Sequence, residues 1–311
     1  MATPDSEVDI KYNPHFNEDD ADIIIRAGDG AYFRVYKIFL SKASSVFKDM
    51  FRIPQSPSGI VDDRDHISGT PLINLSEDEQ ILENVFRLCI PFEDVELTDV
   101  DEIAQVIITA DKYDMARIKE HAQKLWPTAA AKEPLRAFAI ACKKNLREEA
   151  IWAAKLTLKE PIWPLEPNPL IGELREISAD TILRLQSYHR RCSEVAVGAA
   201  KNSTWCTAIY TSVTCRYCQG SCGGSVVQSR TGRDWYLEYL KMAVEKLAVQ
   251  PSGSIVASEA IRAQTMRKVY SPADQVCNMT MHIVDSIRQV VAEFGKAIDA
   301  ELDRVKLDLD S

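Results

Sequence analysis

The sequence predicts a mixed α+β unit, a small sheet with clustered helices, followed by a mainly α-helical C-terminal domain. Three observations carry this expectation. A strand, turn, strand pattern stands at ADIIIRAGDGAYFRV, Ala21 to Val35. Apolar residues then recur at helical spacing as far as Trp126, interrupted by one short strand-like run. After Pro127 the periodicity turns helical. A length of 311 residues makes two domains the default.

The elements follow in order. Residues 1–20 are polar and acidic and read as a disordered leader. In the hairpin, Ile23 and Ile25 share one face, as do Phe33 and Val35, the period of a strand. Asp29-Gly30 between them is a turn signal, because Gly accepts positive φ. A helical stretch is expected from about Lys37 to Arg52, with Val46, Phe47, Met50 and Phe51 as its inward stripe. IPQSPSGIVDDRDHISGTP, Ile53 to Pro71, reads as a long loop. LINL, Leu72 to Leu75, is a short strand. Ser76 and Glu79 form a capping box for a helix to about Cys89, which Pro91 stops. Thr98 with Asp101 repeats the cap before the stripe of Ile103, Val106, Ile107 and Ala110. DMARIKEHAQKLW is a further helix ending before Pro127.

Beyond Pro127, two short helices are expected, broken near Asn145. PIWPLEPNP, Pro161 to Pro169, reads as a rigid linker. A helix begins at Ser178 or Asp180, residues 203–233 are irregular, and helices resume near Trp235. Ser271-Pro272 opens the last helix, striped by Val276, Met279, Ile283, Ile287, Val290, Phe294, Ile298, Leu302 and Val305.

Charge and motifs narrow the function classes. Residues 1–130 hold 25 Asp and Glu against 13 Lys and Arg, whereas residues 131–311 hold 21 against 24. The acidic half repels phosphate and is a poor nucleic-acid surface. The N-terminus has no apolar core of a signal peptide, and no apolar run approaches the ~18 residues of a membrane span. A cytoplasmic or nuclear protein is the expectation, with its eight cysteines as thiols or metal ligands rather than disulfides. No phosphate loop, no nucleophile elbow and no His-Glu-x-x-His occurs, so the expectation is a non-enzyme.

His189 and Cys192 lie three apart on one face of an expected helix, and Cys215 and Cys218 form Cys-x-x-Cys. Together they make a candidate set of four for a structural zinc ion, with Cys206 or Cys222 able to replace a member. The other reading is free thiols, Cys192 buried in a helix face and the other cysteines in a loop, with His189 a surface residue of the helix beside Arg190 and Arg191. From Arg184 to Arg233 seven Lys and Arg face Glu194 alone, with Trp205, Tyr210 and Tyr217 interspersed. That stretch either contacts nucleic acid or docks on an acidic partner; no reading motif accompanies it, so nucleic acid is the weaker choice.

The order of elements in residues 21–126 resembles the BTB/POZ domain. ADIIIRAGDGAYFRVYKIFLSKASSVFKDMF resembles its first strand, hairpin and helical pair. INLSEDEQILENVFRLCI is similar to the strand and helix that follow, and ITADKYDMARIKEHA to the later Ala-Asp-Lys-Tyr segment. The chain departs from the family at Tyr36, often His there, and at LCIPFED, which replaces a Phe-Ile-Tyr-Thr-Gly strand. EPLRAFAIACKKNLREEA through YHRRC resembles uncharacterised BTB proteins of mushroom-forming fungi. The resemblance implies a BACK-like helical pair at 131–160, a Pro-rich linker at 161–177 and a helical domain at 178–311 around a Cys-containing loop, 203–233. It also implies a protein-interaction module that pairs with itself, acts as substrate adaptor for a cullin-type ubiquitin ligase, or both. Ile38 and Phe39 are then the candidates for meeting a second chain, and Phe92 joins them as a partner-facing residue. The alternative is a nuclear, transcriptional regulator using the basic Cys-containing region.

Overall fold

The computed structural model describes residues 10–53, 66–67, 69–91, 95–161, 171–202, 230–269 and 280–309. It divides into two units: residues 1–133 with 144–149, and residues 134–143 with 150–311.

The first unit is built on a five-stranded sheet. Its strands are β1 (Tyr12–Asn17), β2 (Ile23–Arg26), β3 (Tyr32–Val35), β4 (His66–Ile67) and β5 (Thr70–Asn74), in the order β1-β3-β2-β5-β4. β2 and β3 pair antiparallel as the expected hairpin, with Ile25 opposite Phe33. β2 pairs parallel with β5 and β3 parallel with β1. Strand β1 corrects the sequence reading, which gave residues 1–20 to a disordered leader. Its composition, YNPHFN, is polar and holds Pro14, yet Asn13 and Phe16 are buried. Pro within a strand is tolerated at a sheet edge, where β1 lies. Asn13 Nδ2 donates to Glu79 at 3.0 Å and Glu83 at 2.8 Å, tying this edge to the helix beside it.

The hairpin turn is tied to that helix as well. Gly28 donates its N–H to the Glu77 carbonyl at 2.8 Å. A Cβ at Gly28 would stand 2.6 Å from the Ser76 carbonyl oxygen, so only glycine allows the approach. Gly30 takes φ of +95°, the conformation the turn demands. The capping box expected at Ser76 and Glu79 does not form. Helix α3 (Glu79–Cys89) is N-capped at Asp78 without a side-chain bond, and Asp29 of the hairpin accepts from Glu79 N at 3.0 Å instead.

The expected helix at 37–52 is two helices. α1 (Lys37–Ala43) and α2 (Ser45–Met50) meet at extended Ser44, whose hydroxyl accepts from Phe47 N and donates to the Tyr113 carbonyl. Asp22 accepts from Lys37 N at 2.7 Å and serves as acceptor for the start of α1. α4 (Val100–Lys112) is capped by Asp99, one residue past the Thr98 expected. α5 (Ala116–Ala130) runs through Pro127, which was expected to end it. Packing outweighs the lost N–H here: Trp126, Ala129 and Ala130 are buried, and Trp126 Nε1 donates to the Glu149 carbonyl at 3.2 Å.

Two clusters hold this unit. Phe16, Phe33 and Phe86 meet with ring centroids 5.5–5.9 Å apart. Around Ala110-Asp111-Lys112-Tyr113, Tyr113 stacks on Phe47 at 4.8 Å and its hydroxyl donates to Glu77 at 2.8 Å. Lys112 donates to the other Glu77 oxygen and to Ser76. Burial alone would raise the Glu77 carboxyl; the bonds from Lys112 and Tyr113 outweigh it and hold that carboxyl below its ordinary range.

Among its described residues, the elements of the second unit are all helices. α6 (Pro134–Lys143) is followed by Asn145 at φ of 57°, the break expected there. α7 (Arg147–Thr157) begins in the first unit and continues into the second. A 3-10 turn, Gly172–Arg175, falls inside the expected linker but is docked, through Arg136 to Glu173 at 2.7 Å and Lys143 to Glu176. α8 (Ala179–Lys201) is capped by Ser178, which accepts from Thr181 N at 3.1 Å. α9 (Arg230–Leu247) begins earlier than expected, and α10 (Gly253–Val256) and α11 (Glu259–Val269) follow. α12 (Thr280–Leu302) closes the set; the expected start at Ser271-Pro272 lies outside the described residues. Val291, Phe294, Ile298 and Leu302 are its buried line, so Val291 takes the place expected of Val290. Tyr239 anchors the core, its ring 6.0 Å from Phe294 and its hydroxyl donating to the Val256 carbonyl at 2.8 Å.

Candidate interaction surface

Among the described residues of the first unit, the exposed large apolar side chains are Ile38 of α1, 56% exposed, Val46 of α2, 36%, and Ile53 just beyond α2, 69%. The stripe expected to be interior is therefore only partly so. Phe47 is fully buried, Phe51 stacks on it at 5.8 Å and is half-buried, and Val46 faces outward. The break at Ser44 is the reason: it restarts the helical phase, and a six-residue helix packed through Phe47 cannot bury its opposite side. Phe39 is half-buried and lines a cavity of about 200 Å³ with Phe16, Arg34, Tyr36, Cys89 and Ile90. Phe92 lies outside the described residues.

The cavity's polar rim is tied down by neighbouring side chains. The Arg34 guanidinium sits 4.4 Å from the Tyr12 ring and pairs with Asp19. Tyr36 donates to Asp20 at 2.5 Å, and that bond lifts its phenol to about 12. Burial pushes the Cys89 thiol up to about 12, which removes it as a nucleophile near neutral pH. Cys142 is raised to about 12 and Cys192 to about 11 by the same cause. Sequence reasoning missed Asp22, Asp29 and Arg34; each acts through a partner at least 15 residues away, a separation that local patterns do not report.

Residues 12–129 match the family model of the BTB/POZ domain. The first unit is a BTB/POZ domain. The match begins at Tyr12, where β1 begins, and not at residue 21. BTB/POZ domains mediate protein–protein interaction and self-association. No curated protein matches this chain.

In the second unit, His189 and Cys192 share the buried face of α8, 3% and 0% exposed. His189 Nε2 is 2.8 Å from the Thr157 hydroxyl. Burial lowers the imidazole to about 4, so it is neutral at pH 7, the form a metal ligand needs. Cys215 and Cys218, the other half of the candidate set, lie outside the described residues, as do Cys206 and Cys222. Among the described residues no group of three His, Cys, Asp or Glu is placed to hold a metal. Of the basic stretch, Arg184 and Arg191 of α8 face partners inside the unit, Asp308 and the Lys306 carbonyl. Among the described residues, no helix is long and apolar enough to cross a membrane.

Proposed function

We propose that this chain is a non-enzymatic interaction protein that works by proximity. Its BTB/POZ domain pairs with a second copy through the face carrying Ile38 and Phe39, and recruits a cullin-type ubiquitin ligase scaffold. Its helical unit selects the client. Two binding surfaces on one chain raise the effective concentration of their ligands for each other. The observation that carries this reading is the exposure of Ile38 on the first helix of a domain whose family binds proteins. Large exposed apolar side chains are expected where another chain covers them.

Co-elution with a purified cullin scaffold on size exclusion tests the adaptor role. The wild-type chain is expected to shift into the complex peak and Phe92→Asp to leave it. A wild-type chain that never co-elutes contradicts this part of the reading. Zinc bound by His189, Cys192, Cys215 and Cys218 belongs to the same proposal as a structural pin for the helical unit. Its test is metal analysis: one zinc per chain, lost on Cys218→Ser. The nuclear alternative predicts steeply salt-dependent nucleic-acid binding that requires residues 178–233.

A further inference from the structure

The residues after α12 lie along α8. Arg191 Nη2 donates to the Lys306 carbonyl at 2.9 Å, and Arg184, whose Nε donates to Asp180 of α8, turns Nη1 to within 3.7 Å of Asp308. Leu307 between them is buried, Lys306 and Asp308 are exposed, and Val305 and Leu309 are half-buried. That alternation is the period of an extended chain laid on a surface. Arg184, Tyr188 and Arg191 form one face of the helix, at i, i+4 and i+7. The contacts run antiparallel to α8, with residue 306 at Arg191 and residue 308 at Arg184. At the near end, Lys155 of α7 pairs with Asp303 at 2.8 Å.

Residues 303–305 continue the backbone bonding of α12, to the carbonyls of Asp299, Glu301 and Leu302, whereas residues 306–309 meet α8 through buried Leu307, the Arg191 bond to the Lys306 carbonyl and the ion pair of Asp308, the last an outer-surface contact that contributes little in water. Residues 306–309 make no sheet or helix bond of their own. Segments of that kind open at much lower cost than the core they lie on.

We propose that this face of α8 is a docking groove for an extended peptide, and that residues 303–309 occupy it in cis as a displaceable strap. Its ligand in trans is a protein segment of the same chemistry: apolar side chains at alternate positions and a carboxylate beside the central one. The apolar seat under Leu307 selects a peptide, and Arg184 and Arg191 select its acidic side chain and its backbone carbonyl. The inference deepens the client-selecting role of the helical unit and rests on that reading. Its test reads peptide binding alone, so it can fail while self-association and cullin binding stand, or succeed while they fail.

The probe is a fluorescent peptide of residues 303–311, DRVKLDLDS, and the readout is anisotropy. A chain shortened after Arg304 is expected to bind it saturably. The full chain should bind at least tenfold more weakly, because its own strap competes. Arg191→Glu in the shortened chain should weaken binding at least tenfold. A shortened chain that keeps its far-UV circular dichroism but does not bind overturns the proposal, as does equal binding by the full chain or by the Arg191→Glu variant. Displacement of the peptide by an equal concentration of oligonucleotide would overturn it too, by making the face an anion site. If the shortened chain unfolds, the full-length Leu307→Asp variant takes its place. Unfolding of that variant as well makes the strap part of the core and ends the proposal.

Discussion

Tyr113 joins the corner of α1 and α2 to the start of α3 through a single side chain, stacking on Phe47 and donating to Glu77. Removing its hydroxyl leaves a largely buried carboxylate with one fewer donor. Tyr113→Phe is expected to cost about 1.5–3 kcal/mol in urea denaturation, the range for a bond to a charged group. Glu77 also sets an acid limit. Its folded value is depressed, so its contribution is complete above the unfolded value near 4.5 and is lost as pH falls through the folded one. His189 acts in a different window. Its folded value of about 4 lies below the ordinary imidazole value of 6.5, so the unfolded chain binds the proton first. The contribution of His189 to the stability of the helical unit is therefore complete above about pH 6.5 and is lost between 6.5 and 4, by on the order of 3 kcal/mol. Thermal denaturation across that range checks it; His189→Gln should abolish this slope and leave the Glu77 slope at lower pH.

Among the elements, periodicity identified those whose packing is local. The hairpin, α3, α4 and the cap of α8 all stand where alternation, helical stripes and Ser178 place them. The start of α4 followed a local cap displaced by one residue, to Asp99, but the start of α3 did not follow from any local capping pattern. Asp29 reaches Glu79 across 50 residues, and no window of sequence contains both. Asp29→Ala is accordingly expected to cost about 1 kcal/mol, and the loss should appear as faster amide exchange in the first turn of α3. β1 was illegible for a related reason. Its buried residues, Asn13 and Phe16, are three apart rather than alternate, and its partner, β3, joins it in parallel, so neither alternation nor a hairpin turn announces it. Pro127 misled in the other direction, because a buried Trp126 holds a helix that proline alone would end. Of the candidate interaction face, Ile38 was legible as an outward residue, while Val46 was not, since the restart at Ser44 depends on the carbonyl of Tyr113.

At the scale of the whole molecule, a BTB/POZ domain with a proposed pairing face is joined to a helical unit with a proposed groove on α8. The first depends on the α1 face being covered by a second copy, so solution mass decides it most directly. Sedimentation equilibrium at micromolar concentration is expected to give about twice the chain mass of 34.9 kDa, and Ile38→Asp should return a single-chain mass with unchanged circular dichroism. A wild-type chain that stays at one chain mass up to about 100 μM, a concentration at which even a weak pair would form, would contradict the account.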